Sequence, residues 1–289
     1  MEFLEISLSD PIYPELLKQI FDPPERLWVW GNPEILNNPA IAIVGSRKPS
    51  DYGVRAAGWL ARGLSPHAYI ISGLAYGVDT VALTEAADPG KAIAVIGSGL
   101  DRDSFYPASN WQLAQRIVEH GGAIISEYPI GTPPLKHHFP ARNRIIAGLA
   151  LGVVAVEAGE KSGALITTDL ALQFNRDVFA IAGSVFAPQA VGTNKLIKDG
   201  AQIITQVSDV LTSLGISAAD LPIQPRLDLS TVEQTIINIL ATQAEGLSVN
   251  ELTSRVQLDT QKVSSTLTMM EIKGVVKNLG AGKFTCLVS

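Results

Sequence analysis

The chain has 289 residues, which is enough for one domain of ordinary size and a smaller second domain. Apolar residues make up 46% of it and charged residues 17%, a composition typical of globular proteins that excludes a largely disordered chain. Its net charge of −6 means that any binding of nucleic acid would have to depend on a local basic patch. The sequence shows no secretory signal, no apolar run of the roughly 18 residues needed for a membrane helix, and a single cysteine, Cys286. We therefore expect a cytoplasmic protein.

The first 39 residues contain three proline turns between short apolar pieces. We interpret residues 1–39 as a lead-in segment that packs on the main domain. Within it, Trp28, Val29 and Trp30 predict a short strand whose tryptophans fill the core.

From residue 40 to residue 215, short apolar runs alternate with helical patterns. The predicted strands are 41–44, 69–71, 92–96, 123–125, 153–156, 178–181 and 203–204. The predicted helices are 52–64, 78–86, 111–119, 142–151, 165–173 and 195–199. Fully apolar strands that alternate with helices predict a parallel sheet covered on both faces, an α/β domain of the doubly wound, Rossmann-like class. In such a domain, ligands bind at the carboxyl ends of the strands.

The last part of the chain follows a different pattern. Residues 216–228 contain Pro222 and Pro225 and predict a linker. Residues 229–289 then show three helical patterns, and Ser248 with Glu251 forms a capping-box signature before the second. Two short apolar segments around a glycine turn complete the pattern. Three helices and a hairpin predict a C-terminal winged helix-turn-helix domain.

Several motifs of nucleotide and metal chemistry are missing. The sequence has no phosphate-binding G-x-x-x-x-G-K-[ST] loop, and Gly97-Ser98-Gly99 lacks the third glycine of the dinucleotide fingerprint. No histidine or cysteine pattern suggests zinc. Asp79, Glu127 and Glu157 lie near the ends of predicted strands, but nothing pairs them as an acid and a base, and we favour capping or hydrogen bonding to loop amides as the explanation of each. We expect no cofactor, no metal ion and no catalytic residue.

Two strand ends offer candidate phosphate contacts. Gly45, Ser46 and Arg47 follow the first apolar strand, where free backbone amides and a planar cation would suit a phosphate oxygen. Gly73, after the next strand, could act in the same way. Glycine is common after parallel strands, so an ordinary turn remains an alternative at both positions.

The strongest local feature is the basic segment from Lys136 to Arg144. No acidic residue occurs from Ile130 to Val156, although the protein as a whole is acidic. Phe139 among the cations suits a platform on which a base stacks, while the cations and Asn143 suit the phosphates. Alternatively, Phe139 is a hydrophobic staple and Arg142 and Arg144 lie on a solvated helix face. These residues alone leave both interpretations open.

An ordered set of motifs supports the first interpretation. Along the chain these motifs are Gly45-Ser-Arg47, Ser72-Gly-Leu-Ala-x-Gly77-x-Asp79, Ser126-Glu-Tyr-Pro129, Phe139-Pro-x-Arg-Asn-Arg-Ile-Ile-Ala-Gly148, Glu157-Ala158 and Ser162-Gly163-x-Leu-Ile-Thr167. Over about residues 13–205 the sequence resembles the DNA-processing protein A family (DprA, also called Smf), and the Phe-Pro-x-Arg-Asn-Arg stretch is highly specific.

The resemblance implies an extended Rossmann fold that binds single-stranded DNA and dimerises. It also implies that the protein loads the RecA recombinase on incoming DNA during natural transformation, the DNA uptake of competent cells. The basic pocket of the family corresponds to Arg47, Lys136, Phe139 and Arg144, with Phe139 stacking on a base. The family is not known to be catalytic. The expected DNA-binding residues are Gly45, Ser46, Arg47, Gly73, Lys136, Phe139, Arg142, Asn143, Arg144, Ser162 and Gly163.

Two features depart from the family pattern. Many members carry a helical, SAM-like domain ahead of the position of Tyr13, and the residues before Tyr13 are too few to hold one. Residues 229–289 carry five Lys or Arg and five Asp or Glu, so the predicted winged helix is neutral. Duplex binding needs uncompensated cations, and we therefore favour a protein-contact or auxiliary role for this domain.

Two other functions remain as alternatives. A Rossmann-like domain with glycines at its strand ends also suits a hydrolase of nucleoside monophosphates, with Glu127 or Glu157 as the base. The winged helix alone would suit a transcription factor that binds duplex DNA.

Overall fold

The computed structural model describes residues 2–216, 230–241, 243, 246–256, 258–272, 275–280 and 282–286. The chain divides into two compact units, Met1–Leu221 and Pro222–Ser289. Among the described residues, no helix is long and apolar enough to cross a membrane.

The first unit is built on a nine-stranded sheet. Its strands are β1 (Leu4–Ser7), β2 (Arg26–Gly31), β3 (Ala40–Val44), β4 (Tyr69–Ser72), β5 (Ala92–Val95), β6 (Ala123–Ser126), β7 (Gly152–Ala155), β8 (Asp177–Ala180) and β9 (Gln202–Ile203). The helices are α1 (Glu15–Lys18), α2 (Asp51–Leu64), α3 (Val78–Ala87), α4 (Trp111–Glu119), α5 (His138–Leu149), α6 (Gly163–Gln173), α7 (Val191–Lys198) and α8 (Val207–Ser213). The predicted alternation of apolar strands and helices is confirmed.

The strand order is β1-β2-β6-β5-β4-β3-β7-β8-β9. Strands β3 to β9 are parallel, and β3 pairs with β4 on one side and with β7 on the other. The order of the chain therefore reverses at β3, which leaves a crevice between the carboxyl ends of β3 and β7. In doubly wound sheets this crevice is the usual place for a ligand.

Alternate residues of β3 face opposite layers of helices. Ile41 and Ile43 belong to the core under α2, α3, α4 and α8, whereas Ala42 and Val44 belong to the core under α1, α5 and α6. Because both faces are covered, the central strands contain almost only apolar residues. The predicted doubly wound, Rossmann-like fold is confirmed.

The first 39 residues contribute more than packing. Strand β2 pairs antiparallel with β6, with Trp28 opposite Ser126, and β1 pairs antiparallel with β2. Trp30 is buried and stacks on Trp111, with 5.1 Å between the ring centroids. The short strand predicted around Trp28–Trp30 is confirmed, and the lead-in segment adds two antiparallel strands to one edge of the sheet.

Helix α5 begins four residues earlier than the sequence pattern indicates, at His138 instead of Arg142. The pattern is misleading because Pro140 interrupts it. A proline in the first helical turn has no intrahelical hydrogen bond to lose, so the helix can begin before it. Phe139 and Pro140 therefore lie within the first turn of α5.

The second unit is a winged helix, as predicted. It contains α9 (Thr231–Ala241), β10 (Leu247–Ser248), α10 (Val249–Val256), α11 (Thr260–Ile272), β11 (Val276–Gly280) and β12 (Lys283–Cys286). The three strands form an antiparallel sheet in the order β10-β12-β11. The capping box is confirmed, since the Ser248 amide donates to Glu251 and the Glu251 amide donates to the Ser248 hydroxyl. The predicted linker, 216–228, lies outside the described residues except for Ile216.

Candidate nucleic-acid interface

A cleft of about 850 Å³ opens at the strand-order reversal. Its walls are the loop after β3, the first turn of α5 with the loop before it, and the loop that leads from β7 into α6. The residues that line it are Val44, Gly45, Ser46, Arg47, Ala75, Asp79, Tyr106, Lys136, Phe139, Pro140, Arg142, Asn143, Ile146, Gly159, Lys161, Ser162, Gly163, Ala164, Ile166 and Thr167. Nine of the eleven predicted site residues are in this set, and Gly73 and Arg144 are not.

The loop after β3 contributes the Arg47 side chain to the cleft, whereas the backbone amide of Ser46 is already hydrogen-bonded. The Ser46 amide donates to the Glu157 carbonyl at 2.7 Å, so the expectation that this amide is free for a phosphate is wrong. The Ser46 hydroxyl accepts the Lys48 amide at 3.1 Å. A Cβ at Gly45 would lie only 2.7 Å from a Val78 methyl, which shows that this glycine lets α3 approach the strand end. Arg47 is exposed and is the group that the loop offers to a ligand.

Phe139 contacts an arginine and a second aromatic ring. The Arg47 guanidinium carbon is 5.8 Å from the centroid of the Phe139 ring. The centroids of the Tyr106 and Phe139 rings are 5.4 Å apart, and 38% of Tyr106 is exposed. Tyr106 was not predicted as a site residue, because it precedes Lys136 by 30 positions and no spacing links the two loops. Together, Arg47, Phe139 and Tyr106 form what we call the stacking platform.

Three exposed cations line the cleft. Arg47, Lys136 and Lys161 are exposed in it, and within the described part of the chain none of them forms an ion pair. Lys161 was missed because Glu160 precedes it, so the sequence suggests local neutralisation there. A signal was nevertheless present, since Lys161 immediately precedes the Ser162 N-cap.

The amino terminus of α6 forms part of the same wall. The Ser162 hydroxyl accepts the Ala164 amide at 3.3 Å, and Gly163 is exposed. The Asn143 side-chain amide donates to the Gly163 carbonyl at 3.4 Å, which ties α5 to α6. The first amides of a helix lack intrahelical acceptors, and the helix dipole adds partial positive charge there. This end of α6 therefore favours an anion in the cleft.

Arg142 supports the cleft from beneath. It is only 4% exposed, and its guanidinium donates to the Gly73 carbonyl at 2.7 Å and to the Val95 carbonyl. Burial lowers the pKa of Arg142 to about 10, against the opposing effect of the Asp79 carboxylate. Burial also raises the pKa of Asp79, which accepts the amides of Gly73 and Ala75. The Gly73 amide is thus occupied, and a Cβ at Gly73 would lie 2.5 Å from the Arg142 guanidinium.

Arg144 lies outside the cleft and is held by acidic residues. Its guanidinium makes two hydrogen bonds of 2.7 Å to the Glu127 carboxylate and one of 2.9 Å to the Asp22 carbonyl. Burial works to lower the pKa of Arg144, but the hydrogen bond and charge of Glu127 outweigh it, so the pKa is raised. The side chain is 12% exposed, and the contacts tie α5 to the loop after β6 and to the lead-in segment. Its environment is that of a structural ion pair.

The carboxylates considered as catalytic bases have other partners. Glu127 pairs with Arg144, and Glu157 accepts the Ser50 hydroxyl at 2.5 Å and the Ser50 amide at 2.9 Å. Neither lines the cleft. Within the described ranges, no group of three or more His, Cys, Asp or Glu side chains is placed to hold a metal ion.

Comparison with known proteins identifies one family over almost the whole first unit. Residues 5–215 match the model of the DNA recombination-mediator protein A family, and residues 219–282 match that of the DprA winged helix domain. The chain is 44% identical to the DNA processing protein DprA of Streptococcus pneumoniae over 211 residues, which is 73% of this chain and 74% of the relative.

Two solved structures have the same fold. The X-ray structure of the Streptococcus pneumoniae protein superposes with a TM-score of 0.68 at 43% identity, over 73% of this chain and 74% of the other. DNA processing protein A from Helicobacter pylori, whose structure describes a single-stranded DNA binding mode, superposes with a TM-score of 0.67 at 31% identity, over 74% of this chain and 96% of the other. On the extent of these matches, the chain belongs to the DNA recombination-mediator protein A family.

Proposed function

We propose that this protein binds single-stranded DNA in the cleft between β3 and β7. The observation that carries the proposal is the combination of three unpaired cations, Arg47, Lys136 and Lys161, with the stacking platform. Cations that track a backbone and an aromatic ring that stacks on bases are the two parts of a sequence-tolerant single-strand site. The single-stranded DNA binding mode described for the Helicobacter pylori relative supports the same function.

The groups of the cleft divide into two roles. Arg47, Lys136 and Lys161 bind phosphates beside the positive end of the α6 dipole, whereas Phe139 stacks on a base and Tyr106 packs against Phe139. Ser46, Asn143, Ser162 and Gly163 supply polar contacts along the walls. Arg142 and Gly73 hold the floor of the cleft, and Arg144 holds α5 in place.

In the cell, we propose that the protein acts in the cytoplasm as a homodimer and loads the RecA recombinase on single-stranded DNA during natural transformation. The membership of a recombination-mediator family supports this role. A mediator needs to hold single strands of any sequence, and a cleft that combines phosphate-binding cations with a stacking ring is suited to that task.

The alternatives lack comparable support. A hydrolase needs a free base beside its substrate, but Glu127 and Glu157 are engaged elsewhere and lie outside the cleft lining. A duplex-binding transcription factor needs uncompensated cations on its winged helix, and residues 229–289 have as many acidic as basic residues.

Titration of the full chain with fluorescent oligo-dT and with a duplex of equal length tests the proposal. We expect the single strand to bind more tightly, and Arg47→Ala and Lys136→Ala each to weaken its binding and to reduce the dependence of the affinity on salt. Unchanged affinity in both variants would exclude the cleft as the binding site. Turnover of mononucleotides by the wild-type protein, lost in Glu127→Gln or Glu157→Gln, would support the hydrolase instead.

A further inference from the structure

The loop after β8 exposes two large apolar side chains in succession. Val185 is 80% exposed and Phe186 is 91% exposed, which are the largest values for any large apolar residue in the described ranges. Scattered exposed apolar residues are ordinary, but two adjacent ones at the tip of a loop beside a ligand cleft indicate a binding role.

This loop is held in place by hydrogen bonds at its start and within it. The Asn194 side chain accepts the Gly183 amide at 3.1 Å and donates to the Gly183 carbonyl at 3.0 Å. The Tyr52 hydroxyl donates to the Ala182 carbonyl at 2.9 Å, and the Phe186 amide donates to the Ser184 hydroxyl at 3.3 Å. The exposure of Phe186 is therefore a property of a braced turn, which presents the ring at little cost in conformational entropy.

The loop adjoins the wall of the cleft. It follows a parallel strand next to β7, so it leaves the sheet at the same edge as the cleft. The Gly192 amide donates to the Ala158 carbonyl at 2.7 Å, and a Cβ at Gly159 would lie 3.6 Å from the Pro188 carbonyl oxygen. Gly159 lines the cleft. Phe186 precedes Pro188 by two residues, a span of at most about 7 Å.

We propose that Phe186 forms a second stacking site for nucleotides that leave the cleft past Gly159. We call this ring the exit platform. The inference rests on the proposed binding of single-stranded DNA, and it extends the path of the strand from the crevice between β3 and β7 to the end of β8.

The small size of the apolar tip and its position beside a basic cleft favour a nucleic acid over a protein partner. Residues 182–191 contain no charged side chain, and the apolar feature is a projecting tip, not a broad face of the size that protein interfaces bury. Bases stack on isolated aromatic rings at any sequence, while the cations that hold the phosphates are supplied by the adjacent cleft.

The test is a titration of the full-length protein with oligo-dT of increasing length, by fluorescence anisotropy. In the wild type, we expect the affinity to rise by a step once the oligonucleotide is long enough to pass from the cleft to the loop. Phe186→Ala should remove that step, which weakens the binding of long strands about tenfold and leaves the binding of short strands unchanged. Phe186→Trp should retain the step, whereas Phe186→Leu, which is apolar but has no ring to stack, should lose it.

Two controls separate the possible outcomes. Phe21→Ala removes another exposed ring, 71% exposed, that contacts Phe174 just after the end of α6, and we expect no change in DNA binding. Arg47→Ala should weaken the binding of short and long strands alike. A normal step in Phe186→Ala, together with weakened binding in Arg47→Ala, overturns the exit platform and leaves the cleft intact. Unchanged binding in Arg47→Ala overturns the cleft itself. A change of oligomeric state in Phe186→Ala without a change in DNA affinity shows that the loop contacts protein, and this also overturns the inference.

Discussion

The cleft and the winged helix both carry cations, but the cations have different surroundings. Arg47, Lys136 and Lys161 have no acidic partner in the described part of the chain, and the start of α6 adds to their positive field. In the winged helix, the pKa of Glu251 is lowered by hydrogen bonds from Ser248 and by the charges of Lys283 and Arg255.

This comparison explains how an acidic protein can bind DNA. Only cations that are not already neutralised gain by contact with a phosphate and by release of its counterions. The overall charge of −6 therefore says little about the cleft, where the local balance is positive. The same distinction applies within the basic segment from Lys136 to Arg144. Lys136 lines the cleft without an acidic partner, whereas Arg144 is neutralised by Glu127.

The largest expected effect concerns Arg144 and separates structural from binding cations. Arg144→Ala leaves the Glu127 carboxylate, 16% exposed, without its partner, and we expect a loss of about 3 kcal/mol in the free energy of unfolding. All four tryptophans precede residue 112, so denaturant unfolding followed by tryptophan fluorescence reports on the first unit.

Arg26→Ala is the matched control for Arg144→Ala. Arg26 pairs with Glu5 on the surface, where both side chains are about half exposed, so we expect almost no change in stability. Under conditions where the first unit is folded, Arg144→Ala should bind oligo-dT as the wild type does. A loss of DNA affinity in the folded variant would show that Arg144 is part of the DNA-binding site.

The second prediction concerns Phe139, for which the sequence leaves two roles open. If the ring stacks on a base, Phe139→Ala should weaken the binding of oligo-dT by about 2 kcal/mol. Phe139→Trp, which keeps an aromatic ring at this position, should bind oligo-dT as tightly as the wild type does. Anisotropy titration measures the affinity, and tryptophan fluorescence measures the stability of each variant. A lower midpoint of unfolding with unchanged affinity would instead identify Phe139 as a hydrophobic staple.

The sheet and the walls of the cleft could be predicted from the sequence because both depend on local patterns. Apolar strands with glycine or serine at their ends indicate the carboxyl edge, and the motifs around Gly45 and Phe139 place two loops there. The direction in which a side chain points depends on the tertiary fold and could not be predicted from local patterns. Once α5 begins at His138, Arg142 points to the carbonyls of β5 and of Gly73, and Arg144 points to Asp22 and Glu127.

Long-range contacts account for what was missed in the site. Arg144 meets Asp22 across 122 positions of the sequence, and Tyr106 meets Phe139 only because the loops after β5 and β6 lie side by side. The pairing of β2 with β6 is likewise a consequence of the tertiary fold. The distribution of charged residues along the sequence does not indicate which cations form ion pairs in the folded protein.

The smallest expected effect tests the comparison between the two units most directly. Lys161→Ala removes one phosphate contact in the cleft, so the slope of the logarithm of affinity against the logarithm of salt concentration should fall by about 0.7, the value for one contact with a single strand. At low salt we expect the affinity for oligo-dT to fall about fivefold, since one charge-assisted contact is lost. Lys283→Ala removes one cation from the winged helix, close to Glu251, and should leave both the slope and the affinity unchanged. A reduction of the slope in Lys283→Ala as large as that in Lys161→Ala would contradict this expectation. It would show that a cation close to an acidic group binds a phosphate, so the distinction between paired and unpaired cations would fail for this protein.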